Sequence, residues 1–150
     1  MTKLLLSVHV LAAVLAIGPV AVAASIFPRA LRDAHREPGG RDALAGPRTL
    51  HRICRVYAAV GVVVPVFGFA TARAMGVLGS GWLITSIVLT VAAAGVLGLL
   101  ILPAQEAALD APPGTPSPAA RLAMLTGVFN LLWATVTVLM IVRPGSTTGA

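Results

Sequence analysis

The sequence predicts an all-α fold: an integral membrane four-helix bundle with N and C termini outside. Three observations carry that expectation. The composition is too apolar for a protein in water, four uncharged stretches are long enough to span a bilayer, and the arginines gather in the connections between those stretches.

Of the 150 residues, 57% are hydrophobic and only 11% charged, and mean hydropathy is +0.93. A soluble domain carries about 25% charged residues, so this chain needs lipid to cover its surface. One domain is all this length calls for. The formal charge is +6, with ten arginines and one lysine, Lys3. Nucleic-acid binding is a poor account of that excess, because the charges flank apolar segments, where they set topology and meet anionic headgroups. The single cysteine, Cys54, forms no intramolecular disulfide and no CxxC pair. It reads as a small apolar residue at a helix start.

A helix crosses the bilayer core with about 20 apolar residues. The first span is 4–27, uncharged throughout. The second is 53–72, held between Arg52/Arg55 and Arg73. The third is 82–102, which Pro103 is expected to stop. The fourth is 122–142, between Arg121 and Arg143. None alternates with period two, so barrel strands are excluded. Between them lie a basic cytoplasmic loop, 28–52, a short turn, 74–81, a proline-rich cytoplasmic loop, 104–120, and a tail, 143–150. Pro38-Gly39-Gly40 and Gly46-Pro47 are expected to break any helix in the first loop. Before that break, Arg29, Arg32 and Arg36 fall on one face of a short interfacial helix.

Orientation follows from the basic residues near the spans. Arg29, Arg32, Arg36, Arg41, Arg48, Arg52, Arg55 and Arg121 lie on one side. Only Lys3, Arg73 and Arg143 lie on the other. Eight against three places both long loops in the cytoplasm. The first span also resembles a signal peptide, with Lys3 as n-region and Ala21-Val22-Ala23 as a small-x-small site. Two features favour a retained helix: the apolar run continues to Phe27, and cleavage would export the arginine cluster beyond it. Pro19 is tolerable there, because lipid-embedded helices kink at proline rather than end.

Helices in lipid associate through small residues and polar contacts. His9, Ala13, Ala16, Val20 and Ala23 share a face of the first span. Ala58, Gly61, Pro65 and Gly68 form a similar face on the second. Ala94 and Gly98 give a small-xxx-small pair on the third, where Ser86 and Thr90 are placed to bond back to the preceding turn. On the fourth, Thr126, Asn130, Trp133 and Thr137 make a polar stripe. An unpaired amide in hydrocarbon costs several kcal/mol, so this stripe is expected to face the bundle interior or a partner subunit. It serves either as helix-to-helix glue or as a contact for a ligand or ion.

His9 is an intramembrane imidazole. Such a group ligates haem, carries protons, contacts a quinone, or simply makes a structural hydrogen bond. His35 and His51 lie at the other side of the membrane, so a bis-histidine haem within one chain is not expected. Met140, or Met75, is the remaining candidate for a second ligand beside a haem b on His9. His51 sits among Arg52 and Arg55, and together with Arg29, Arg32 and Arg36 these read as lipid-headgroup contacts. No carboxylate lies within a span, and HExxH, P-loop and GxSxG patterns are absent. No metal site and no catalytic residue are expected.

The segments HVLAAVLAIG and LHRICRVYAAVGVVVPVFGFATA, with four spans in this length, resemble domain-of-unknown-function family 2269. These are small integral membrane proteins. The likeness covers most of residues 1–142, and its motif is an early histidine followed by a glycine, here His9 and Gly18. The Arg-, Ala-, Gly- and Val-rich style is that of high-GC actinobacteria. The same early histidine is similar to that of copper-resistance D-type proteins and of four-helix membrane protoporphyrinogen oxidases. In those oxidases it is accompanied by an intramembrane lysine, whereas this chain's only lysine is Lys3. The resemblance implies a shape rather than an activity.

Taken together, these features read as a non-enzymatic accessory or scaffolding protein of the cytoplasmic membrane. Its partners are membrane lipids, including anionic ones, and a homo-oligomer or larger membrane complex. The alternatives are a haem- or quinone-linked redox protein built on His9 and an oligomeric permeation protein for ions or small molecules.

Overall fold

In lipid every backbone N–H and C=O must find its partner within the segment, and the apolar runs here close into helices accordingly. The computed structural model describes residues 2–36, 43–112 and 115–146. Its elements are α1 (Thr2–Arg36), α2 (Ala45–Gly61), α3 (Val63–Ala74), α4 (Gly81–Gly95), a π-helical segment (Val96–Ile101), α5 (Leu102–Asp110) and α6 (Ala119–Val142). Among the described residues there is no strand. Four continuous helical rods result, Thr2–Arg36, Ala45–Met75, Gly81–Asp110 and Ala119–Val142, each long and apolar enough to cross a membrane.

The rods run past the expected spans, and prolines explain how. Pro28 sits inside α1, so the first loop is not a loop up to Arg36. Gly46-Pro47 does not break a helix but lies in the first turn of α2, where proline's missing N–H is one of the orphans of any helix start. Pro103 does not stop the third rod. The segment before it is π-helical, with Leu102 N–H bonded to Leu97 O. The return from i→i+5 to i→i+4 bonding leaves a carbonyl without a donor, and a residue lacking N–H fits there. The rod then continues to Asp110, so 104–110 of the expected proline-rich loop is helix. The second rod tightens one turn before Pro65: α2 passes to α3 through Val62, whose N–H reaches back to Ala59 O at 3.3 Å. The Pro38–Gly40 break and Arg41 lie outside the described residues, as do Pro113, Gly114 and 147–150 of the tail.

α1 packs on α2, α3 and α6; α4 and the π segment pack on α6; α5 packs on α2. The rods therefore close a ring. Ser25 meets Asn130, while Ile17 and Trp133 share a core cluster with Val20 and Phe129, so α1 and α6 are antiparallel neighbours. One end of the bundle holds Phe27, Leu31, Ala108 and Leu122 together, beside the two longer connections. The other joins Ala72, Trp82, Leu83 and Met140, beside the 75–80 turn and the start of the tail. There α6 ends at Arg143, in the left-handed region at φ 47, and its guanidinium lies 5.7 Å from the centre of the Trp82 ring.

Between the ends, Val20, Ala93, Leu97, Ile101, Leu125 and Phe129 form the main core. Large apolar side chains also cover the outside of every rod: Leu15 is 64% exposed, Val66 63%, Leu99 77% and Leu131 70%. A rod that is apolar all round requires an apolar solvent.

Candidate functional site

Of the small face expected on the second rod, Gly68 meets His9, whereas Pro65 is exposed and a Cβ at Gly61 would meet nothing within 4 Å. A helix side chain leans toward the helix N-terminus, over the preceding turn. A Cβ at residue 68 would stand in that space, 2.8 Å from His9 Cε1. Gly68 leaves it open, and His9 Nδ1 lies 3.0 Å from Val64 O. A carbonyl only accepts, so Nδ1 carries the hydrogen and Nε2 bears the lone pair in the neutral ring. His9 is half-buried and heads the face of Ala16, Val20 and Ala23, which are buried. Met140 packs against the Ala72–Trp82–Leu83 cluster.

The stripe on α6 divides. Thr126 is buried and its hydroxyl donates to Ala24 O at 3.4 Å. That carbonyl is the one Pro28 deprives of its i+4 donor, so Thr126 supplies what the proline removes. Asn130 Nδ2 donates to Ser25 Oγ at 3.2 Å. Asn130 Oδ1 and Trp133 Nε1 are buried without partners among the described residues. Thr137 departs from the expectation: it is exposed and bonds to Trp133 O of its own helix. On the third rod Ser86 and Thr90 bond back as expected, to Trp82 O and Ser86 O. Ala94 and Gly98 face out of the bundle, and a Cβ at Gly98 would meet nothing within 4 Å. Ala93 and Leu97 fill the core instead.

A third polar cluster was not anticipated. His51 is only 8% exposed and Gln105 1%, whereas His51 was expected at the interface and Gln105 in a loop. His51 Nδ1 lies 3.0 Å from Gln105 Oε1, and Gln105 Nε2 donates to Cys54 Sγ at 3.9 Å. Because α5 is helix rather than loop, Gln105 reaches α2, and the amide joins the two rods. The signal missed was Gln105 itself: an amide two residues from a Pro that ends nothing. His51 Nε2 is buried and has no partner among the described residues.

Around this cluster lie the arginines. Arg29, Arg32 and Arg36 are exposed along the end of α1, with Arg29 Nε 3.8 Å from Asp33 Oδ2. Arg52 and Arg55 are exposed on α2 and, with His51, Val56 and Ala59, line an open groove of about 370 Å³. Among the described residues no group of His, Cys, Asp and Glu is arranged to hold a metal ion.

Fold and outward faces together define a class: an all-helical protein with four rods suited to cross a membrane. No family model matches the chain, no curated protein matches it, and no solved structure matches it.

Proposed function

We propose that the protein is a non-enzymatic accessory or scaffolding component of the cytoplasmic membrane, a four-span single domain with both termini outside, working by lateral association with a second copy or a membrane partner. The observation that carries this reading is the outward face of Ala94 and Gly98. Two small residues one turn apart let another helix approach closely in lipid, and the bundle itself does not use them. The inner polar residues favour the same reading, since His9, Thr126 and Asn130 each bond to a neighbouring rod. The sidedness rests on the count of arginine and lysine, eight against three, at the two ends. Membership of family 2269 belongs to the same proposal and rests on His9, Gly18 and the 50–72 stretch.

The test is disulfide or bismaleimide crosslinking of Gly98→Cys in native membranes. The native Cys54 is buried and stays silent. A crosslinked dimer, or one discrete heteromeric product, is expected, and Gly98→Leu should abolish co-purification under mild detergent. A lone, uncrosslinked chain would remove the scaffolding reading.

One observation favours the redox alternative. His9 Nδ1–H is fixed by a backbone carbonyl, the usual orientation of a histidine that ligates through Nε2. Absorption spectra, oxidised and dithionite-reduced, separate the two. A Soret band lost in His9→Ala establishes haem, and a featureless spectrum after haem-replete expression leaves His9 as a packing residue.

A further inference from the structure

The groove on α2 has two halves of opposite character. Arg52, Arg55, Val56 and Ala59 recur at i, i+3, i+4 and i+7, so they lie along one face of the helix. His51 forms its wall. The upper half offers two guanidinium groups and no carboxylate. The lower half is apolar, and Val56 is 51% exposed. It continues down the rod toward Val60 and Val63, which are exposed as well.

His51 lines the same groove, and its ring is held in place by Gln105, whose Oε1 accepts from Nδ1–H. The imidazole therefore stands beside any occupant of the groove and reports on it.

We propose that this groove binds one anionic phospholipid, its phosphate held by Arg52 and Arg55 beside the His51 wall and an acyl chain lying along Val56 and Ala59. The assignment rests on the reading of the chain as a membrane bundle whose arginine-rich end lies at the interface. Guanidinium forks match phosphate oxygens in geometry as well as charge. The apolar lower half is what distinguishes a lipid from a soluble phosphate ester as occupant.

The experiment is native mass spectrometry of the full chain in detergent. It is titrated with phosphatidylglycerol, with phosphatidylcholine of the same acyl chains, and with sn-glycerol 1-phosphate. The variants are Arg52→Gln/Arg55→Gln and, as control, Arg73→Gln/Arg121→Gln; all four side chains are exposed, so both proteins should melt like the parent. Phosphatidylglycerol should bind in preference to phosphatidylcholine, with a loss of roughly tenfold or more in the first variant and no change in the second. A ¹⁵N-histidine spectrum should show the His51 signals moving with phosphatidylglycerol alone. Equal losses in both variants, no headgroup preference, or an unmoved His51 would each overturn the site. Glycerol phosphate binding as tightly as the lipid would overturn the lipid assignment in favour of a free phosphate ester. Failure of the membrane reading shows separately, as a chain that stays in solution once detergent is removed.

Discussion

At the scale of single residues the bundle is held by complementary absences. Gly68 lacks a Cβ where His9 needs room, and Pro28 lacks an N–H where Thr126 brings a hydroxyl. Both pairings make predictions. In Gly68→Ala the new methyl sits 2.8 Å from His9 Cε1, so the ring must leave Val64 O, at a cost of about 1–3 kcal/mol. His9→Ala removes the same bond, so the double variant should be less destabilised than the sum of the singles by at least about 0.5 kcal/mol. Unfolding curves in one fixed detergent measure this, and strict additivity would mean that ring and glycine do not meet. Thr126→Val keeps the shape but strands the Ala24 carbonyl, costing about 1–3 kcal/mol, whereas Thr126→Ser should be nearly neutral. Spacing favoured an inward face for His9 and set Thr126 on a stripe turned to the interior or to a partner; Thr126 is buried and His9 half-buried. Their partners were not legible, because a backbone carbonyl exposed by a glycine or freed by a proline has no letter in the sequence.

At the scale of elements, the four apolar rods were legible because hydrocarbon permits few other structures. Their ends were not. Proline in water is a helix stop, and that rule misplaced the ends at Pro28, Gly46-Pro47 and Pro103. The π segment is the clearest case: nothing in VLGLLI distinguishes it from ordinary α-helix. A π turn is an α-helix carrying one residue more than its turn needs. Removing one residue there should therefore restore a regular helix without rotating α5. Deleting Leu99, which is 77% exposed, should change stability by no more than about 1 kcal/mol and leave Gln105 on His51. Deleting Val88 from the regular α4 removes about 100° of helical rotation and should abolish the native melt. Thermal unfolding of the two deletions decides it; equal damage would mean that the widened turn is not a spare residue.

At the scale of the whole molecule, the four-rod ring places the two long connections at one end and Thr2, the 75–80 turn and Arg143 at the other. The proposed sidedness then has a direct readout. A membrane-impermeant maleimide added to intact cells should label Ser146→Cys and spare Thr115→Cys, and the reverse pattern would invert the molecule. Adjacency of α1 and α6 carries a further consequence. Since the first and last rods are antiparallel neighbours, the order in which the chain visits the ring is not what keeps it closed. A circular permutant, with its ends joined beyond Arg143 and before Thr2 and new ends opened between Asp110 and Ala119, should assemble the same contacts. Its ends would then emerge on the arginine-rich side, so that a fused reporter changes compartment while the bundle itself does not turn over.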